Sequence, residues 1–347
     1  MAALRTADIT VRAALPGEGR AVASLWRELW DAHEAWGGYA GSHDERIYAQ
    51  LAVRLEEDAR VRGGQPVLGR HIHLVAAAQG EVSGQVEGWF ERHGVDDTTP
   101  FTCEVRSLIV RQTTRTSGLG RALLETLAGT ARRLGRGGAV ILAAEVLEPN
   151  PAHSFYAKVG YGPVSWSARI HTALGAASPI GGVAKGARVA DASDALAVAL
   201  LDGTLAARRR AAGDLRFDRP RAVDATLVGA IAGHLGRAAA GGVDPMELVA
   251  VDERGDVRAS ASLAIALLDP PFLPVKRAIL GRFAVDPACK AAPYVAPLIA
   301  LGSRLAALRG APTMELTDLS APGSELHNAA LATGARPWSR LVSRMIS

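Results

Sequence analysis

The stretch Arg115-Thr116-Ser117-Gly118-Leu119-Gly120 (RTSGLG) stands between an apolar run, CEVRSLIV from Cys103 to Val110, and RALLETLAGTARRL, whose apolar residues recur at helical spacing. A strand that passes through a glycine-bearing loop into a helix offers unpaired N–H groups and the positive end of the helix dipole, so the loop suits phosphate oxygens. Gly118 and Gly120 let the backbone approach an anion closely, and Arg115 can add a charge-assisted contact. A dinucleotide fingerprint fits less well, because Leu123 stands where its third glycine belongs. A P-loop needs Lys and then Ser or Thr after its last glycine, and Arg121-Ala122 stand there. An isolated RxxGxG is equally compatible with an ordinary loop, so the flanking chain has to decide.

Upstream, Ile9 to Ala14 reads as a strand, Val22, Leu25, Trp26 and Leu29 give helical spacing, and Asp44 to about Val61 reads as a second helix. HIHLVAAAQ and VSGQVEGWFE then read as two strands joined by a tight turn at Gly80-Glu81. Downstream come the strand AVILAAEV, Asn150-Pro151, a short helix HSFYAKV, the turn Gly160 to Pro163 and a closing strand. This order predicts an α+β domain around a mostly antiparallel mixed sheet flanked by helices.

The chain has 347 residues, 48% hydrophobic and 21% charged, which predicts two packed domains instead of a disordered chain. A net charge of +4 is too small a cationic excess to point to nucleic acid, and the densest basic run, Arg208 to Arg210, reads as a solvated helix face. Cys103 and Cys289 are the only cysteines, too few for a disulfide framework or a zinc cluster. His71 and His73 alternate on one strand face without an evident third ligand, so no metal is expected. The N-terminus is interrupted by Arg5, Asp8 and Arg12 and no apolar run is long enough to span a bilayer, so neither secretion nor membrane insertion is expected, and a reducing cytoplasm fits best.

A Gly-rich stretch from Gly175 to Gly186 reads as a linker, and the chain beyond it repeats the first half. GARVADASDALAVALL echoes ITVRAALPGEGRAVASLW, and ILGRFAVDPACKAAPYVAPLIALGSRLAALRG lies without gaps on EVRSLIVRQTTRTSGLGRALLETLAGTARRLG. The expected division is a first domain over 1–172, a linker over 173–186 and a second domain over 187–347. In the overlay Lys290 stands at Arg115, Pro293 at Gly118, Val295 at Gly120 and Ile279 at Glu104; with one deletion, Ala330 stands at Tyr156. Proline has no N–H to offer phosphate and Val295 blocks close approach, so the second copy is expected to be degenerate.

With the loop, Asn150 and Tyr156 in order, the first half resembles the GNAT superfamily of acyl-CoA N-acyltransferases over roughly residues 7 to 170. The family's Q/R-x-x-G-x-G/A signature falls on Arg115, Gly118 and Gly120, its N-x-x-x-x-x-Y element on Asn150 and Tyr156, and its G-[FY] pair on Gly160 and Tyr161. The resemblance implies two tandem GNAT-like domains, acetyl-CoA as co-substrate and direct attack of an amine in a ternary complex. By the same resemblance Leu108, Ile109 and Val110 present backbone groups to the pantetheine and acyl carbonyl. Thr116, Ser117, Gly118, Leu119, Gly120 and Arg121 hold the pyrophosphate with Arg115, and Asn150, with Ser154 or Phe155, lines the coenzyme's other side.

The chemistry needs a base, because an alkylamine with a pKa of about 10.4 is protonated at neutral pH, together with an acid for the departing thiolate. The resemblance places Tyr156 as the acid and Glu104 as the base; Arg106, on the same face, leaves a simple ion pair with Glu104 open, and Glu145 is the substitute. Trp26, Trp30, Trp36 and Tyr39 stand among Asp31, Glu34, Asp44 and Glu45, and aromatic faces with carboxylates suit an ammonium group. Trp26 and Trp30 read as core, which leaves Trp36 and Tyr39 as acceptor contacts. Acceptors range from small amines to protein amines, and the tandem chain is expected to be a monomer with internal pseudo-dimer symmetry or a homodimer. A non-catalytic acyl-CoA-binding module, another acyl donor and a hydroxyl acceptor are the competing readings.

Overall fold

The computed structural model describes residues 9–39, 43–92, 101–115, 117–136, 138–177, 186–214, 222–239, 245–268 and 274–346. The described elements of the first half are β1 (Ile9–Arg12), α1 (Gly19–Ala35), α2 (Glu45–Arg62), β2 (Val67–Leu68), β3 (His71–Ala78), β4 (Glu81–Arg92), β5 (Phe101–Val110), α3 (Leu119–Leu134), β6 (Val140–Leu147), α4 (His153–Lys158) and β7 (Gly162–His171). After α5 (Thr172–Ala177) the same order of elements returns, without a counterpart of β2 among the described residues: β8 (Gly186–Val189), α6 (Ala195–Ala211), α7 (Ala225–Ala239), β9 (Met246–Val251), β10 (Val257–Leu267), β11 (Lys276–Val285), α8 (Ala292–Leu308), β12 (Thr313–Leu319), α9 (Glu325–Ala332) and β13 (Arg336–Ile346). The α+β class and the internal repetition are therefore present in the fold.

Pairing repeats with the elements. β1–β3, β3–β4 and β4–β5 are antiparallel and β5–β6 parallel, and β8–β9, β9–β10, β10–β11 and β11–β12 follow the same senses. The hairpin between β3 and β4 turns at Gln79-Gly80, one residue before the expected Gly80-Glu81, and both turn residues have positive φ, 53° and 84°. That backbone twist is the one a two-residue hairpin loop requires.

The chain separates into two compact units, one of Met1–Gly162 with short segments at 269–274 and 342–347, the other of Pro163–Leu268 and Val275–Leu341. The strand read as closing the first half lies almost wholly in the second unit. β7 pairs antiparallel with β12, and Trp166, Ala168 and Ile170 contribute to that unit's core. Val342 and Ile346, at the other end of the chain, pack in the core of the first unit. Part of the expected linker is structured too: α5 packs on α8, and a Cβ on Gly175 would stand 2.1 Å from Ser303 Oγ, so this glycine permits helix contact instead of flexibility. Residues 178–185 lie outside the described residues.

In the first unit, α3 buries Leu119, Leu123, Leu124 and Leu127 against one sheet face. Its close approach depends on Gly88, where a Cβ would meet Leu127 Cδ1 at 2.7 Å and Cys103 Sγ at 2.9 Å. The other face carries α1, through Val22 and Leu25 on Val75, Val82 and Ile109. Trp26 and Trp30 stack at 5.3 Å between ring centroids, and Trp30 is buried with Tyr48 and Leu51 of α2, in line with their expected core role. Asp44 caps α2 through the Arg46 amide and Gly63 ends it in the left-handed region.

Candidate active site

The loop RTSGLG enters α3 at Gly118, the residue before its first turn, with φ 90° and nothing within 4 Å of where a side chain would start. Any other residue is strained there, and the open space leaves the first-turn amides of α3 uncovered on that side. Gly120 has a different reason to be glycine. A Cβ on it would lie 3.2 Å from Phe155 Cζ and 3.6 Å from Val110 Cγ2, so the loop closes on the end of β5 and on α4. The Ser117 hydroxyl donates to Thr114 O at 2.7 Å, and Arg115 Nε donates to Val110 O at 3.2 Å, folding an exposed guanidinium over the end of the strand. Arg121 is exposed on α3, and Thr116 lies outside the described residues.

β5 is bulged beside this loop. Ser107 has φ 52°, and the register with β4 slips between Gln85↔Ile109 and Glu87↔Arg106. The extra residue turns Leu108 and Val110 toward the α3 side and Ile109 toward α1, re-aiming the backbone where the acyl carbonyl is expected. The parallel ladder of β5 and β6 runs only from Phe101↔Val140 to Val105↔Ala144. Beyond it the backbone groups of β5 face a gap in the sheet pairing.

α4 brings the second motif to the same end. Asn150 Oδ1 accepts the Ala152 amide at 2.9 Å in the turn that leads into the helix; Ser154 is exposed and its hydroxyl lies 3.4 Å from Pro151 O. Tyr156 is 7% exposed and meets Phe155 and Tyr161 edge-to-face. Burial pushes its hydroxyl well above the usual tyrosine range, which keeps the O–H intact as a donor. Phe155, bridging Gly120 and Tyr156, joins the loop to the acid candidate.

Glu104 is placed less favourably. It projects on the opposite face from Cys103 and Val105, half-exposed, and holds Arg106 Nη2 at 2.6 Å, the ion pair that the sequence left open. Glu145 is exposed on β6. Trp36 ends α1 with its ring 5.6 Å from that of His33, and Tyr39 is half-buried three residues on.

The polar face around Glu104 holds residues that the motifs did not single out. Register places His71, Trp89 and Glu104 in one cross-strand row and His73, Glu87 and Arg106 in the next. Glu87 is the buried carboxylate of this set: burial raises its pKa to about 7, against the opposing charges of Arg106 and Arg62. The alternation in HIHLV and QVEGW was the available signal, since both place polar residues on one face of paired strands.

In the second unit the corresponding bulge survives, with Arg282 at φ 55° where the overlay has Ser107, but the loop does not. α8 has Pro293 in its first turn, Val295 is fully buried, and the Ala291 amide before the helix donates to Glu325 Oε1 at 2.7 Å. A carboxylate of the chain itself occupies the side where an anion would bind. Among the described residues no group of three or more His, Cys, Asp or Glu could hold a metal ion, and no helix is long and apolar enough to cross a membrane.

Residues 24–161 match the acetyltransferase (GNAT) family. Over 99% of its length the chain is similar in structure to a GCN5-related N-acetyltransferase from Sphaerobacter thermophilus, covering 96% of that chain at 15% identity and TM-score 0.56. A tandem GNAT protein from the clavulanic acid biosynthesis pathway is similar over 97% of this chain and 98% of its own, at 17% identity and TM-score 0.50. No curated protein is matched by the sequence.

Proposed function

We propose that this chain, a tandem-domain member of the GNAT superfamily, transfers an acetyl group from acetyl-CoA to a primary amine by direct attack within a ternary complex. The observation that carries the reading is the loop: Gly118 leaves the α3 amides open, and Gly120 seats that opening against Phe155 and the end of β5. In this reading residues 1–172 form the catalytic copy of the repeat and 187–347, beyond a connection at 173–186, a copy that has lost the coenzyme.

The α3 amides, Ser117 and Arg115 take the pyrophosphate, with Arg115 released from Val110 O as it does so. Backbone groups of Leu108 to Val110, unpaired on the β6 side, take the pantetheine amide and polarise the acyl carbonyl. Asn150 holds the turn that leads into α4, and Tyr156 donates to the sulfur as the C–S bond breaks. The proton of the amine goes to a carboxylate on the polar face that carries Glu104. Trp36 and Tyr39 are the proposed contacts for the acceptor's remainder. Two free cysteines, Cys103 and Cys289, suit a reducing compartment such as the cytoplasm.

The test is thiol release from acetyl-CoA with a panel of primary amines, from ethylamine to spermidine, aminosugars and lysine peptides. Turnover with at least one amine is expected. Tight coenzyme binding with no turnover across the panel would instead make the chain an acyl-CoA-binding module.

A further inference from the structure

The polar face beside the β5 bulge is organised around one carboxylate. Glu87 on β4 pairs in register with Arg106, the residue immediately before the bulged Ser107, so it lies one strand away from the β5–β6 gap, level with the point where that gap opens. Its side chain is 13% exposed, and it accepts no hydrogen bond among the described residues; the nearest cation-capable atom is His71 Nε2 at 3.9 Å. Such a group is costly to bury without a donor.

His71 is held in one state. Arg62, itself buried, lies 2.7 Å from His71 Nδ1 through Nη2, donates to His71 O and Pro66 O, and is fixed by Asp58 at 2.6 Å. A guanidinium can only donate, so Nδ1 accepts and the ring proton sits on Nε2. That Nε2 is buried and has no hydrogen-bond partner among the described residues. The ring is clamped by Trp89, parallel at 4.6 Å between centroids, and Trp89 is open to solvent at 37% exposure. An unsatisfied donor and an unsatisfied acceptor thus face each other across a space too wide for a direct bond, beneath an exposed aromatic edge.

We propose that Glu87 is the base that takes the proton from the acceptor ammonium, while Glu104 serves to restrain Arg106. The inference rests on the acetyl-transfer reading given above. An alkylammonium entering over Trp89 gives one proton to Glu87 and becomes the nucleophile. The N–C bond forms and the C–S bond breaks; Tyr156 gives its proton to the departing sulfur and recovers one, through solvent, from the new amide nitrogen. The charges that bear on Glu87 are Arg106 from β5 and Arg54, Asp58 and Arg62 from α2, and the titratable rings facing it from β3 are His71 and, in register, His73. Burial outweighs the cations and lifts the carboxyl toward neutrality, and burial with Arg62 keeps His71 uncharged, its pKa lowered to about 4.

The experiment is the pH dependence of thiol release with acetyl-CoA and the fastest amine of the ethylamine-to-spermidine panel, for the wild type, Glu87→Gln, Glu87→Asp and Glu104→Gln, with acetyl-CoA binding by calorimetry as the fold control. In the wild type kcat/KM should rise through a limb near pH 7, because a base works only when deprotonated. Glu87→Gln should lose about 100-fold or more in kcat with coenzyme binding kept, Glu87→Asp should recover part of it, and Glu104→Gln should lose less than about 10-fold. A Glu87→Gln enzyme within about 3-fold of the wild type, or a loss confined to Glu104→Gln, overturns the assignment while leaving acetyl transfer intact. Should Glu87→Gln fail to bind coenzyme, the wild-type profile still decides, since the absence of a limb near pH 7 contradicts it. No turnover by the wild type with any amine removes the acetyl-transfer reading and this assignment with it.

Discussion

Gly120 lies against Phe155: a Cβ added to the glycine would stand 3.2 Å from the ring's Cζ, tighter than a relaxed contact allows. The two residues come from different motifs, Gly120 from the first turn of α3 and Phe155 from the helix that carries Tyr156, and their contact sets how the start of α3 sits on the end of β5. Gly120→Val should therefore displace α4 or the loop and weaken acetyl-CoA binding by about 10-fold or more, an overpacking cost on the order of 1–3 kcal/mol. Calorimetric titration of the variant checks it; an unchanged affinity would mean that the contact is incidental.

Tyr156→Phe keeps the buried ring and removes the donor. Turnover should fall by about 100-fold or more with acetyl-CoA affinity within a few-fold of the wild type, because the hydroxyl acts on the departing sulfur and not on the bound coenzyme. Single-turnover thiol release reads this directly.

Acid stability should depend on His33. The ring is enclosed by Trp30 and Trp36, at 5.6 Å between centroids in each case, and burial lowers its pKa from 6.5 to about 4. The folded state holds the neutral ring, so stability is full above pH 6.5 and declines as the pH falls toward 4, where the unfolded chain binds the proton first. His33→Gln should flatten that decline. Thermal melts at about pH 7 and about pH 4.5 for both proteins measure the difference.

The second unit should be structural at its helix start. Glu325→Ala removes the carboxylate that accepts the Ala291 amide and should cost about 1 kcal/mol of stability without creating coenzyme affinity, because Pro293 and Val295 still deny the anion its amides and its space. Denaturant unfolding and acetyl-CoA titration of this variant test both halves of the statement.

The element order, the repeat and the loop were legible in the sequence because each rests on local pattern: helical spacing around Leu123 and Leu127, the turn at Gly80, the gapless overlay of Gly118 on Pro293. The bulge was not, since Ser107 carries no signal for positive φ, although the matching angle at Arg282 supports the overlay that the sequence suggested. Glu87 was missed for a related reason. A glutamate in VEGW reads as a solvent-facing strand position, and only the register with His73 and Arg106, together with α2 laying Arg62 and Asp58 near that face, shows that it is buried. The placement of β7 with β12 depends on tertiary competition for Trp166, Ala168 and Ile170, which strand propensity does not encode.

In the proposed division one copy of the repeat holds the coenzyme and the other has closed its site with Glu325. Calorimetric titration of the whole chain with acetyl-CoA reads this stoichiometry. One coenzyme should bind per chain, and about 10-fold or more weakly in Gly120→Val; two coenzymes per chain, or one that binds Gly120→Val as tightly as the wild type, would overturn the assignment.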